Sequence, residues 1–363
     1  MKITKAPETM SSRERVLRTF AYEKTDRVTI GYGGNENVNA ALQRALGARD
    51  MAQVCEMLGV DYYGVEPPYI GKPLFTAPPN RQVHPLEGSI TRWTAHASGG
   101  YWSRCDFPLK DADDEAFERY PVPDADDFDY ESALERAKDI RARGYAVFIG
   151  KAGIPDVINS NSRIMGMEDC LCHLQTGYEP AMHLINRRAR SWLGVFERLL
   201  DKCGAYVDFM WLGEDMGTQI GPMVSRELYE RAMKPIHRDF AQLAVSHGIP
   251  SIMHICGSSS WAYEDLIEIG VKGVDSLQPE AVDMSPEYLI KHFSGRLNFR
   301  SLISTAGALA YGTPEEVEAD CLRILETMTP PGGYHFAPSQ AVQDNTPVEN
   351  VIAAYNTAHS FRL

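Results

Sequence analysis

The densest local chemistry in the chain is the run Met253-His254-Ile255-Cys256-Gly257, at the end of a stretch that reads as a strand. Side chains two apart on a strand project to one face, so the His254 imidazole and the Cys256 sulfur would point together. Both are good zinc ligands, and a zinc site needs at least one more. Glu214 and Asp215 are the nearest carboxylates by topology, because they end the preceding strand and consecutive strands of a parallel barrel are neighbours. The two acids could instead act as acid and base with separated pKa values, or one could cap its loop through backbone N–H groups. His254 and Cys256 could likewise be a hydrogen-bonded pair in the core.

Other candidates are weaker. Cys170-Leu171-Cys172-His173 looks metal-like, but it falls in a helical pattern, where residues two apart sit about 200° around the axis and face opposite ways. Cys321 lies mid-way along an amphipathic helix and reads as core. The glycines at Gly99-Gly100 and Gly332-Gly333 read as turns, and no dinucleotide fingerprint, phosphate loop or G-x-S-x-G elbow occurs.

The elements that must position these residues alternate short β-branched or aromatic runs with helical periods. Eight strands are expected: Val28 to Gly33, Asp61 to Glu66, Ala146 to Gly150, Tyr206 to Gly213, Ser251 to Cys256, Gly273 to Leu277, Leu297 to Leu302, and Tyr334 to Ala337. The pattern predicts an α/β fold, a (β/α)8 TIM barrel, whose chemistry sits at the carboxyl ends of the strands. The residues just past those ends are polar: Asn35, Glu36, Glu66, Lys151, Glu214, Asp215, His254, Cys256, Gln278, Ser304, Ser339 and Gln340. A lead-in helix capped by Ser11, with Glu14 placed to complete a capping box, is expected to lid the barrel from outside. Residues 72–104 read as a β excursion over the mouth, within which Trp93, Tyr101 and Trp102 either pack to seal the barrel or contact ligand. Ser225, Ser285 and Thr313 read as caps of later helices.

Residues 1–363 are expected to form one barrel domain. Hydrophobic residues make up 44% of the chain and charged residues 23%, a balance that excludes disordered and fibrous classes. The net charge of -13 argues against a nucleic-acid or anionic-membrane partner. No run of about 18 apolar residues occurs, and the first twenty residues lack the apolar core of a signal peptide. Seven scattered cysteines, an odd number, fit free thiols, and a cytoplasmic location is expected.

Several segments together resemble the uroporphyrinogen decarboxylase superfamily. They are Ser12-Arg13-Glu14-Arg15 through Asp26-Arg27-Val28, Tyr120-Pro121 to Asp129-Tyr130, Gly213-Glu214-Asp215-Met216-Gly217-Thr218-Gln219, His254-Ile255-Cys256-Gly257-Ser258, Asp265 to Gly270, and Thr346-Pro347-Val348-Glu349-Asn350. The resemblance implies the same barrel and one of two activities: decarboxylation of uroporphyrinogen, or zinc-dependent methyl transfer in a corrinoid (cobalamin) system. The decarboxylases hold a tetrapyrrole with arginines just after the first strand. Here no Arg or Lys stands between Arg27 and Arg44, and the segment adds Glu36. Burying a polycarboxylate there without cations would be unfavourable.

The methyltransferase branch is the better match, since its zinc site uses a His-x-Cys pair, matched by His254 and Cys256. Its third ligand is a cysteine in the last strand-end loop, where this chain reads Ala337-Pro338-Ser339-Gln340-Ala341. Gln340, or Ser339, stands in its place. The resemblance then implies zinc held by His254 and Cys256, with Glu214 or Asp215 as the exchangeable ligand and Gln340 orienting substrate. The partners implied are a small-molecule thiol or methyl donor and a protein carrying the corrinoid. Such barrels often pair, so a homodimer is possible, although no interface stripe stands out. Phe299-Arg300-Ser301-Leu302 departs from the Gly-Gly-Ile-Asp-like turn of relatives. That departure and Gln340 leave room for an altered paralogue that binds a tetrapyrrole or small ligand without turnover.

Overall fold

In the computed structural model, which describes residues 2–96 and 99–363, eleven strands follow one another along the chain. The first five are β1 (Thr29–Ile30), β2 (Tyr62–Val65), β3 (Gln82–Val83), β4 (Ile90–His96) and β5 (Gly99–Cys105). The rest are β6 (Ala146–Pro155), β7 (Phe209–Gly213), β8 (Ser251–His254), β9 (Gly273–Leu277), β10 (Asn298–Ile303) and β11 (Tyr334–Pro338). Eight of them pair in parallel in the order β1-β11-β10-β9-β8-β7-β6-β2, with helices on the outside. The fold is the expected (β/α)8 barrel, and all eight expected strands are present. No helix among the described residues is long and apolar enough to cross a membrane.

The ends of the strands differ from expectation for local reasons. β1 stops at Ile30 because the next residues are Gly31, Gly33 and Gly34, which give a strand no side chains to pack. β7 begins only at Phe209, since Gly204–Tyr206 forms a tight 3-10 turn. Helix starts follow their caps: Asn35, Ser225 and Ser285 each accept an N–H from their own first turn, and Thr313 makes a full capping box with Glu316. Cys170 is buried and Cys172 exposed on the helix Met167–Thr176, as the helical rotation requires, and Cys321 is buried in the helix Pro314–Met328.

β3, β4 and β5 form a separate antiparallel sheet, the expected excursion, whose tip at residues 97–98 lies outside the described residues. Trp93 and Trp102 are cross-strand partners with ring centroids 5.6 Å apart. They do not seal the barrel: Trp93, Tyr101 and Trp102 are 52%, 57% and 43% exposed, with the two tryptophans on one face of the hairpin and Tyr101 on the other.

The barrel is plugged at its amino end by the helix Ser12–Phe20. Val16 packs with Tyr62, Ala146, Phe209 and Ile252, and Phe20 lies against Phe209 and His335. The lead-in helix is thus a floor, and two arginines fasten it. Arg13 reaches Asp208 at 2.9 Å, and Asp208 also accepts the Val147 N–H. Arg15, fully buried, reaches Asp61 at 2.6 Å and Asp26 at 2.7 Å.

Asp61 closes the barrel where no strand ladder joins β1 to β2. Its backbone N–H donates to the Ile30 carbonyl at 3.0 Å, and its carboxylate accepts the Ile30 N–H at 2.8 Å. The same carboxylate takes two bonds from Arg27, at 2.7 and 2.9 Å, besides the one from Arg15. Burial pushes the Asp26 carboxyl up, but the Arg15 hydrogen bond and the Met10 and Thr9 N–H donors outweigh it and hold Asp26 below the usual carboxylate range. Removing Asp61 would strip two buried guanidinium groups of the carboxylate they share, leaving Arg15 with Asp26 and Arg27 with the partly exposed Glu8. Asp61→Ala should therefore lower the unfolding free energy by about 3–5 kcal/mol, measured by urea unfolding; a loss under about 1 kcal/mol would show that the closure does not depend on this network.

Candidate metal centre

β7 and β8 end side by side, with Gly213 opposite His254. Past them the chain makes two loops that touch, and glycine permits the contact. A Cβ on Gly257, at φ +70°, would meet the Gly217 carbonyl oxygen at 2.5 Å, and one on Gly217 would meet the Cys256 oxygen at 2.7 Å. The contact is sealed by the Ser258 N–H donating to the Thr218 carbonyl at 2.7 Å. Cys256 therefore stands just beyond the strand rather than on it. Its N–H donates to Asp215 Oδ1 at 3.1 Å, which draws the Asp215 carboxylate to the same spot.

Three donor atoms meet there: an Asp215 oxygen, a His254 ring nitrogen and the Cys256 sulfur all lie within 4.8 Å of one another. His254 Nε2 is 3.3 Å from Cys256 Sγ and 3.8 Å from Asp215 Oδ1. Asn159 Nδ2 holds the other Asp215 oxygen at 2.7 Å. Gln340, from the loop after β11, brings its side-chain amide to within 2.8 Å of the sulfur. Ser339 does not share that position, because its hydroxyl accepts the Thr305 N–H at 3.1 Å. Burial, with Asp215 beside it, pushes the Cys256 thiol up. Burial alone would lower His254, but the Asp275 carboxylate and Asp215 raise it.

The donor set suits a divalent cation. It offers one imidazole nitrogen, one sulfur and one carboxylate, and the far ring nitrogen of His254 is bonded to Ser276 Oγ at 2.8 Å and faces Asp275 Oδ2 at 3.4 Å. A polar partner on the ring nitrogen opposite the metal is the usual support of a ligating histidine.

Glu214 is not part of this group. It points back under the loop, fully buried, where Oε2 accepts the Val157 N–H at 2.5 Å and Oε1 the Ile158 N–H at 3.0 Å. His237 Nε2 lies 3.1 Å from Oε2. Burial pushes Glu214 up to about 8 against the pull of its two backbone donors, and burial drives the neighbouring His237 down to about 4. Adjacent residues leaving a strand face opposite ways, so only one of the two acids can reach the cluster.

The other polar strand ends serve local structure. Asn35 caps a helix, Glu36 is exposed in its first turn, Glu66 and Lys151 pair at 2.8 Å, and Gln278 accepts the Gly257 N–H at 2.7 Å. Sequence spacing missed Asn159, Asp275, Ser276 and Arg300. A signal for two of them was present, since Asp275 and Arg300 are charges in the middle of strands that are otherwise apolar or small.

Among solved structures, a methyltransferase from Methanosarcina mazei superposes with a TM-score of 0.67 over 97% of this chain and 99% of that one, at 16% sequence identity, which shows a shared fold. An L-ribulose 3-epimerase is more distant, with a TM-score of 0.40 and 14% identity over 63% of this chain and 77% of that one. Dispersin B reaches a TM-score of 0.42 at 9% identity over 93% of this chain and 99% of that one. No curated protein matches by sequence. The family model for uroporphyrinogen decarboxylase (URO-D) matches residues 171–361, which hold Asp215, His254, Cys256 and Gln340 together with five of the eight barrel strands, β7 to β11; this chain belongs to the uroporphyrinogen decarboxylase family.

Proposed function

We propose that this chain, acting as one domain over residues 1–363, is a zinc-dependent methyltransferase that works with a corrinoid protein and a small-molecule thiol or methyl donor. The observation that carries the reading is the meeting of Asp215, His254 and Cys256 at the carboxyl end of the barrel, where such folds place their chemistry. His254 and Cys256 would hold the metal, with Asp215 as the third and exchangeable ligand in place of Glu214. Zinc in that position supplies Lewis acidity, which lowers the pKa of a thiol or polarises the heteroatom of a methyl donor.

The chain's own residues prepare the site. Asn159 fixes one Asp215 oxygen and leaves the other for exchange between the Cys256 N–H and an incoming partner. Cys256 must lose its proton when metal binds, and the raised thiol makes that loading favour alkaline conditions. Gln340 supplies an amide in place of a further thiolate, so it adds no charge and can turn to orient a substrate beside the sulfur. Glu214 carries a proton in the fold at neutral pH, which keeps a second carboxylate charge away from Asp215. Decarboxylation is less well supported, since residues 28–43 carry no cation to hold a polycarboxylate.

Two measurements test these assignments. Purified protein should contain about one zinc per chain by mass spectrometry, consistent with a three-ligand catalytic site; Cys256→Ser should lose it and Gln340→Cys should bind it more tightly. No metal in the wild type, with zinc gained in Gln340→Cys, would overturn the reading in favour of metal-free chemistry or simple binding. The second concerns Glu214, which is protonated in the fold up to about 8 but only to about 4.5 when unfolded. The unfolded state then binds fewer protons across that window, so this contribution to stability is full below about pH 4.5 and falls as the pH rises to 8. His237, lowered in the fold, and His254, raised, also titrate near this window, so the difference between wild type and Glu214→Gln, rather than the slope itself, reports Glu214. Glu214→Gln should remove up to about 1.4 kcal/mol per pH unit of slope there, read from urea unfolding at a series of pH values; an unchanged slope would show the carboxyl to be ionised in the fold.

A further inference from the structure

The face of His254 turned away from Cys256 is held by an arrangement that needs a distorted backbone. Ser276 Oγ lies 2.8 Å from Nδ1 and Asp275 Oδ2 lies 3.4 Å from it. In a regular strand, adjacent side chains point to opposite faces, so residues 275 and 276 could not both reach one ring nitrogen. They do so because Ser276 has φ +59°. The same device recurs on the next strand. Arg300 NH1 and Ser301 Oγ, again adjacent, both bond Asp275 Oδ1, at 2.5 and 2.7 Å. There Ser301 and Leu302 have φ of +92° and +77°, and the pairing of β9 with β10 slips between Phe299 and Ser301. Residues with a Cβ rarely take this region, and they keep it only where the surroundings over-determine it.

Arg300 is the part that over-determines it. Its Nε donates to the Tyr62 hydroxyl at 2.7 Å, and its guanidinium lies 4.4 Å from the centre of the Trp211 ring. Asp275 is fully buried, and the Arg300 charge outweighs that burial and holds the carboxyl ionised. A carboxylate so anchored presents Oδ2 to His254 as a fixed acceptor.

We infer that Arg300 is a positioning residue: through Asp275, with Ser276 and Ser301 beside it, it holds the His254 ring with the proton on Nδ1 and Nε2 directed at Cys256 and Asp215. What that orientation is for rests on the metal reading above; the orientation itself does not. Arg300 has no hydrogen bond to the three donor atoms, and its hydrogen-bonded path to them runs through Asp275 and His254.

The test reads the His254 tautomer in 15N-labelled, metal-stripped protein by two-bond 1H–15N correlation at alkaline pH, with His254→Gln to assign the signal. The wild type should show the Nδ1–H tautomer. Arg300→Met should mix the tautomers, and Arg300→Lys, which returns a cation to Asp275, should restore it. Ser276→Ala removes one acceptor without unpairing a buried charge, so it keeps the test open should Arg300→Met fail to fold; it too should mix the tautomers. Zinc affinity, measured by chelator competition, should fall about 10–100-fold in Arg300→Met and recover in Arg300→Lys. A pinned Nδ1–H tautomer in folded Arg300→Met overturns the inference whatever zinc does, as does an unchanged tautomer in Ser276→Ala where Arg300→Met does not fold. A tautomer that shifts as expected in a wild-type background that binds no zinc upholds the inference and defeats the metal reading instead.

Discussion

One carboxylate, Asp61, closes this barrel. Seven of the eight strand junctions are made by backbone ladders, while β1 and β2 are joined by a single backbone hydrogen bond and by Asp61 between Arg15 and Arg27. The consequence runs through the whole molecule. Closing the ring gathers the strand ends around one mouth, where the ladder between β7 and β8 sets Gly213 beside His254 and so Asp215 beside Cys256. The same arginine, Arg15, belongs to the floor helix, so closure of the ring and closure of its base are one event. Such a buried ionic cluster is not an efficient source of stability, since desolvation offsets much of its attraction. Its value here is directional: only one placement of β1 against β2 satisfies every donor.

At the other end of the strands, precision comes from departures from regularity. Gly217 and Gly257 allow two loops to touch, and left-handed backbone at Ser276, Ser301 and Leu302 turns neighbouring side chains onto one target. The cost of each departure is borne by packing elsewhere, as at many functional sites. The two ends of the barrel thus divide the work. Charges at the base fix the frame, and irregular backbone at the mouth aims the groups that the frame carries.

This division explains what the sequence made legible. Strands such as Ala146–Pro155 and Tyr334–Pro338 declare themselves through β-branched and aromatic residues, and caps such as Thr313 with Glu316 through short-range chemistry. His254, Cys256 and Asp215 were legible as candidates for the same reason, since each sits at a strand end. The choice of Asp215 over Glu214 was not legible, because it turns on which way the chain leaves β7, and the hydrogen bonds that decide it come from Val157, Ile158 and Asn159 far away in sequence. Cys256 lies beside His254 as expected, although the expectation carried the strand to Cys256 and it ends at His254. The support behind His254 lay out of reach entirely, since it depends on a slip of register between two strands, which no residue pattern announces. Trp93 and Trp102 misled through composition, since large aromatics suggest a seal, whereas here they pack on each other across the hairpin and stay half in solvent.

The floor has a further consequence for traffic. With Val16 and Phe20 set into the strand starts, and Tyr62, Phe148 and Phe209 packed above them, side chains fill the base of the barrel and leave no way through it. Anything that reaches Asp215, His254 and Cys256 must enter and depart by the same door. For the small molecule and the larger protein proposed above, a single door would impose an order of arrival: the smaller first, the larger over it.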